Sequence, residues 1–359
     1  MRFHSAHLTA IIGLLACSCL AQKLPQPIRV WSVGPLTKSD PVMGITFGQG
    51  GPTITGSHIE SQTRSTFSAT RSIAFAGDRV ILVSRIGMRQ IQGTQAPISA
   101  FEVLSLDVKT GKLKEKREVT TFGSLPLFGA NDDHVIVAGR SLMRMTSDLK
   151  DAGEFDYHAN GHKFGNVENS SPDGSTLGNA TSPGYELVDS QSLQATLLTK
   201  VSLADTSVSN KGVVTDNVHW IGQYPKDTAF VTYYDASGDH LLYHGDCGGR
   251  PQFLTSEVIL EPGCKHPLLI GITGEPLLTM KVSSPFSYAG VSQNGERFAL
   301  QLGDPSHERF VIYSVKTGEP ITEVKADQKS DEQSWTAFSS DGTMFVVGSP
   351  LKLTLYKLP

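Results

Sequence analysis

From residue 71 onward, apolar and polar positions follow a strand rhythm rather than a helical one. Short runs of Val, Ile, Leu, Phe and Tyr, about four to eight residues long, are separated by Gly, Asp, Asn and Ser. Residues 338–349, FSSDGTMFVVGS, show the unit: a strand end, a tight Asp341-Gly342 turn and a second strand. Asp, Asn and Gly suit such turns because they tolerate the positive φ of tight hairpins. Helical periodicity is absent once the first 21 residues are set aside.

The same layout recurs, with turns at Gly77-Asp78, Asp132-Asp133, Asp173-Gly174, Lys211-Gly212, Ser256-Glu257, Asn294-Gly295 and Asp341-Gly342. That makes seven units about 40–45 residues long, with one longer first step. A second strand–turn–strand signal follows each first one. It is sharp in LSLDVKTGKLKEKREV, around Thr110-Gly111, and in IYSVKTGEPITEVKA, around Thr317-Gly318. It is weaker in 144–155, 186–198, 232–244 and 270–282. Each unit therefore reads as a four-stranded meander, A to D. β units of this length at a fixed period predict an all-β, seven-bladed β-propeller, because one sheet cannot bury both its faces but stacked blades can. The predicted domain is a single one, 22–359. The last unit offers only two strands after its Asp-Gly turn. The segment PIRVWSVGPL (27–36) is a spare strand, with Ile28 and Val30 alternating with Arg29 and Trp31. It is expected to supply the missing fourth strand, bury Trp31 and remove an open sheet edge. Residues 39–70 read as a flexible Gly/Ser/Thr-rich insert. Their stretch FGQGGPTITGS lacks the following helix and the Lys-Ser/Thr pair of a phosphate loop.

Two motifs carry a resemblance. SSPDGSTL (170–177) and FSSDGTMFVVGS resemble the S-x-D-G hairpin of bacterial WD40-like and YVTN-type β-propeller repeats. LSLDVKTGKLKEKREV and YSVKTGEPITEV resemble their D-x-x-T-G-K strand–turn–strand, which also occurs in quinoprotein-type propellers. The likeness covers about residues 71–359 at repeat level. The Gly-His and Trp-Asp pairs of eukaryotic WD40 blades are absent, and neither a clear quinone-ligand set nor a lactonase signature is present. The resemblance is specific for fold and not for function; the first expectation is a non-enzymatic binding or scaffold module, which needs only the rim loops, with no cofactor. The alternatives are a hydrolase or lactonase-like enzyme using the central channel, or a quinone-dependent oxidoreductase.

The N-terminus bears on location. Arg2 precedes an apolar run, 8–16, and then small residues, the pattern of a secretory signal with cleavage after Ala21. Leu14-Leu15-Ala16-Cys17 also resembles a lipobox with Cys17 acylated, so both processing routes stay open. The expected location is the periplasm or extracellular space, or the outer membrane as a lipoprotein. No later stretch is long and apolar enough for a transmembrane helix. The chain carries 31 Lys and Arg against 35 Asp and Glu, a formal charge of −4. It lacks the basic footprint of a nucleic-acid binder. A monomer is expected. Export leaves Cys247 and Cys264, which predicts one disulfide. In a hairpin centred on Thr255-Ser256 the two would face each other across neighbouring strands, although the Gly pair and Pro251 leave room for a bulge that shifts the register; two free buried thiols are the alternative. Two thiols alone would leave a zinc site incomplete.

Candidate chemistry is sparse. His158 and His162 are four apart, but Asn160-Gly161 between them favours a loop, and no metal site is expected there. His240 and His244 share one strand face without further ligands. The A–B and C–D turns are short, whereas the B–C and D–A connections vary in length. Variable loops on one rim of a rigid scaffold are where binding residues gather. Arg89, His158, His162, Tyr224 and Trp335 on that face are the candidates for contacting a protein or small-molecule partner.

Overall fold

The computed structural model describes residues 24–34, 46–48, 51–53, 71–89, 98–121, 123–157, 165–181, 184–200, 203, 205–216, 229–245, 249–263, 266–282, 285–303, 308–325, 334–349 and 352–359. Strand β1 (Ile28–Val33) comes first, followed by a small hairpin, β2 (Thr46–Gly48) with β3 (Gly51–Thr53), inside the stretch expected to be flexible. Glycines at both strand ends let that chain reverse tightly. Seven antiparallel four-stranded sheets account for the rest.

Blade 1 is β4 (Arg71–Ala76), β5 (Arg79–Arg89), β6 (Ile98–Asp107) and β7 (Leu113–Thr121). Blade 2 is β8 (Leu127–Gly129), β9 (His134–Ala138), β10 (Ser141–Thr146) and β11 (Asp151–Asp156). Blade 3 is β12 (Gly165–Ser170), β13 (Thr176–Thr181), β14 (Tyr185–Asp189) and β15 (Ala195–Thr199). Blade 4 is β16 (Ser207–Val208), β17 (Val213–Asp216), β18 (Ala229–Asp235) and β19 (Gly238–Gly245). Blade 5 is β20 (Gln252–Phe253), β21 (Val258–Glu261), β22 (Leu268–Gly271) and β23 (Pro276–Thr279). Blade 6 is β24 (Phe286–Val291), β25 (Arg297–Leu302), β26 (Arg309–Ser314) and β27 (Pro320–Lys325). Blade 7 is β28 (Trp335–Phe338), β29 (Met344–Ser349) and β30 (Lys352–Lys357), completed by β1 at its outer edge.

The blades stand in a ring. Seven buried clusters form the core, and each straddles one interface between neighbouring blades. Val83, Phe101, Val137 and Met145 join blades 1 and 2, for example, and Phe310, Ile312, Phe345 and Tyr356 join blades 6 and 7. The others join 2 to 3, 3 to 4, 4 to 5, 5 to 6 and 7 to 1. Burial of this kind is non-directional and scales with the apolar area removed from water, so two-faced alternation in every strand suffices to stack the sheets. One buried cation adds direction: Arg144 of β10 pairs with Asp132 in its own blade and donates to the Ser190 carbonyl of blade 3.

The two turn motifs have visible physical causes. In D-x-x-T-G, Asp107 Oδ1 accepts from the Lys109 and Thr110 amides and from the Thr110 hydroxyl. These bonds, the hydroxyl foremost, hold the Asp107 carboxyl below its ordinary range. Gly111 then takes φ +66°. The weaker copy in blade 3 keeps the geometry with a different residue: Leu193 stands at φ +56° in the place of Gly111, and its side chain is buried between blades 2 and 3.

Closure occurs where the sequence placed it. β1 pairs antiparallel with β30, Trp31 opposite Leu355 and Val33 opposite Leu353, with a bulge at Val30. Trp31 is 8% exposed and sits among Ile73, Leu104, Leu106, Val346 and Leu355, at the junction of the first and last blades. Its indole N–H donates to the Val108 carbonyl at 2.7 Å. Gly111 is also needed here for space, since a Cβ on it would lie 2.8 Å from the indole ring. Just before β1, the Pro25 carbonyl accepts from Thr322 of blade 6 at 2.6 Å.

One expected register is corrected. The β20–β21 ladder pairs Gln252 with Leu260 and Phe253 with Ile259, one residue away from the register that sets Cys247 against Cys264. The turn is centred on Ser256, because Thr255 Oγ1 accepts from the amides of Glu257 and Val258. Cys17, Cys247 and Cys264 lie outside the described residues.

Candidate functional site

In each sheet the A strand lies innermost. β28 touches β4, β4 touches β8, and the contacts run on through β12 and β16 to β20, with β24 against β28. The turn of blade 5 meets that of blade 6 where Thr255 lies against Gly295. The A strands thus line an axial cavity of about 330 Å³. This volume falls at the low end of the range for small-ligand pockets.

The cavity is asymmetric in chemistry. Blades 1, 2 and 7 give it an apolar arc, including Ile73, Phe75, Phe128 and Phe338. Blades 3 to 5 give it a polar arc, with Glu168, Asn169, Ser170, Ser207, Arg250 and Gln252. Glu168 enters at a bulge in β12, where the register slips between Val167 and Asn169. A bulge re-aims a side chain in this way. Thr206, immediately before β16 and fully buried, joins the two charges. Its hydroxyl donates to Glu168 Oε2 at 3.3 Å, and its carbonyl accepts from Arg250 Nη2 at 3.2 Å and from Asn169 Nδ2 at 2.6 Å. The buried Tyr185 hydroxyl shares a 2.7 Å bond with the Thr206 hydroxyl and fixes it from behind. Burial pushes the Glu168 carboxyl above its ordinary value. The Thr206 hydroxyl and the Arg250 charge pull it back, and Asp205 adds a further upward push. Burial alone raises the phenol of Tyr288, which faces the cavity from blade 6.

The cavity has a floor. Gln293, in the A–B turn of blade 6, reaches across the axis and donates to the Ala130 carbonyl of blade 2 at 3.0 Å. Its amide nitrogen lies 2.9 Å from where a Cβ on Gly129 or on Gly174 would sit, so it fits closely against the glycines of blades 2 and 3. Gln293, Ser171 and Pro172 line both this cavity and a smaller one of about 180 Å³ beneath, among the A–B turns. The axial space is thus a cup whose base, on the A–B and C–D side, is Gln293.

The rim candidates are distributed differently. Arg89, at the end of β5, holds Glu118 on the outer strand of its own blade, Nε to Oε1 at 3.1 Å. Trp335 opens β28, half-buried, and packs against the cluster between blades 7 and 1, next to cup-lining Thr336. Arg89 does not line the cup. His158, His162 and Tyr224 lie outside the described residues. Among the described residues no three His, Cys, Asp or Glu gather closely enough to hold a metal ion. His240 instead meets Ser237 at 2.9 Å and Asp235 at 3.3 Å in the β18–β19 turn. No helix among the described residues is long and apolar enough to cross a membrane. Sequence reasoning passed over Glu168, Thr206, Arg250 and Gln293. Their signal was positional. Other A strands read IAF, LFG or TAF, whereas the third carries a charge within the strand, in NVENS, and the fifth has one just before it, in GGRPQF.

These features define a seven-bladed β-propeller closed by its N-terminal strand. No family model matches the chain, and no curated protein matches it. Solved structures of similar fold include BamB from Moraxella catarrhalis, with 11% identity and a TM-score of 0.40 over 82% of this chain and 99% of that one. Another is the C-terminal WD40 domain of Sif2, with 10% identity and a TM-score of 0.44 over 82% of this chain and 98% of that one.

Proposed function

We propose that this chain is an exported, non-catalytic β-propeller that serves as a binding or scaffold module of the bacterial cell envelope. The partner, a protein, is gripped on the B–C and D–A face. One observation carries the reading: the A–B and C–D connections span only two to five residues, whereas those on the opposite face range from two to twelve. A rigid ring with uniform turns on one side and irregular loops on the other concentrates recognition on the irregular side. Arg89 and Trp335 stand at strand ends on that side, and by their place in the sequence His158, His162 and Tyr224 fall in connections assigned to it. The export half rests on Arg2, the apolar run after it and the small residues up to Ala21.

Two measurements test the proposal. Fractionation of a Gram-negative host expressing the full chain should place it in the envelope. Mass spectrometry then separates a mature protein beginning at Gln22 from one beginning at lipidated Cys17. A photo-crosslinking residue at Arg89 or Tyr224 should capture a discrete protein partner in cells, while the same residue at Asp78 or Thr110, on the turn face, should not. A cytoplasmic chain overturns the first half, and equal capture from both faces overturns the second.

A further inference from the structure

The cup is lined by the A strands, and its side chains have their own logic. Its described charges are one carboxylate, Glu168, and one guanidinium, Arg250, on either side of Thr206. Thr206 engages only one oxygen of Glu168 and, through its carbonyl, the Nε and Nη2 of Arg250. Glu168 Oε1 and Arg250 Nη1 are left to face other groups. Arg250 is exposed although it lines the cavity, so its charge is offered to whatever enters. Asp205 stands beside Glu168 and makes that end the more negative. Across the axis lies the apolar arc of Ile73, Phe75, Phe128 and Phe338. The Gln293 bridge closes the bottom, so a chain cannot thread through.

A ligand that complements this cup is small, carries one cationic and one anionic group a few ångströms apart, and has an apolar body on the far side of both. We infer that the cup binds a free α-amino acid with an apolar side chain. The ammonium is held at Glu168 and the carboxylate at Arg250, and the side chain lies on the phenylalanine wall. The carboxylate–guanidinium contact is of the charge-assisted kind, the stronger class of hydrogen bond. The buried shell of Tyr185 and Asn169 fixes Thr206 and so fixes both charges before the ligand arrives. This site goes beyond the partner reading and does not depend on it, since the crosslinking positions lie on other elements.

The test is calorimetric titration of the mature protein with L-phenylalanine, 3-phenylpropionate and phenethylamine. L-Phenylalanine should bind saturably, and each one-charge analogue should bind at least tenfold more weakly. Arg250→Met should weaken L-phenylalanine at least tenfold and leave phenethylamine unchanged. Glu168→Gln should weaken L-phenylalanine and leave 3-phenylpropionate unchanged. Near-UV circular dichroism checks that both variants keep the ring, and the comparison of ligands on the unmodified protein holds without them. Absence of saturable binding by L-phenylalanine overturns the inference. So does 3-phenylpropionate binding as tightly as L-phenylalanine, or an L-phenylalanine affinity that survives both substitutions.

Discussion

Replacing Trp31 with alanine attacks the ring at its closure, and the structure sets the size of the effect. The side chain is 8% exposed, fills the junction of blades 7 and 1 with Ile73, Leu104, Leu106 and Leu355, and donates to the Val108 carbonyl. Truncating a buried Trp costs about 3–5 kcal/mol. The orphaned Val108 carbonyl adds about 1 kcal/mol if water does not reach it. The melting temperature of a chain this long shifts by roughly 1.4 °C per kcal/mol, so Trp31→Ala should melt roughly 6–8 °C below the unmodified protein. Trp31→Phe, which keeps the ring volume but not the N–H, should lie between. Ile28→Ala, in the same strand but 66% exposed, should shift the midpoint by under about 1 °C. Deleting residues 23–36 from the mature chain should exceed Trp31→Ala, because it also strips the β30 ladder and the Thr322 bond to Pro25. Differential scanning calorimetry measures all four. If Trp31→Ala melts within 2 °C of the unmodified protein, the closure carries no weight and the reasoning fails.

Further outcomes follow from other sites. Cys247 and Cys264 should be bonded in the exported protein, so that alkylation without reductant labels neither. Breaking the bond should destabilise the ring by roughly 3 kcal/mol, and two labelled thiols would refute the pairing. Burial pushes the Glu261 carboxyl up to about 8, with the Gly263 amide pulling it back and Asp216 pushing it further. The folded state therefore keeps a proton that the unfolded chain releases near pH 4.3, so this group's contribution to stability falls as pH rises from about 4.3 to 8 and is flat above. Glu261→Gln should gain roughly a few kcal/mol on the unmodified protein across that window, read from urea midpoints between pH 5 and 9. A constant difference across the window would show that Glu261 titrates normally. Gly111→Ala combines a disfavoured φ with a clash on the indole, and should lower the melting point by several degrees while Gly123→Ala, also at positive φ but in open space, lowers it less.

Much of the architecture was legible because a propeller is built from local signals. Strand rhythm, Asp-Gly turns and a period near 40 residues come from adjacent residues, and each survives in a single sequence. The seven A–B turns fall where Gly77-Asp78 through Asp341-Gly342 placed them, between the first and second strands of each blade. The weak second motifs were weak for a reason. Leu193 takes the left-handed conformation that Gly111 and Gly318 take elsewhere, and its burial between blades offsets a strain of about 1–2 kcal/mol. The cup was not legible in the same way. Glu168, Thr206 and Arg250 come from three blades and meet only after the ring closes. Gln293 spans the axis to a residue far away in sequence.

Bulges are where a period-two reading goes astray, and the cysteine pair shows how. Counting outward from the blade 5 turn sets Cys247 one step off Cys264, given the observed pairing of Phe253 with Ile259. Yet in β12 and in β24 the A strand takes one extra residue, at Glu168 and at Ala289, two positions before its end. The corresponding residue in blade 5 is Pro251, which has no N–H to give to a ladder and so suits a bulge. One extra residue there moves every earlier position by one, in the direction that sets Cys247 against Cys264. The same kind of bulge that turns Glu168 into the cup in blade 3 would thus align the two cysteines in blade 5. The irregularity recurs in β12 and β24, and Pro251 with the glycines before it marks blade 5 as a place suited to the same one.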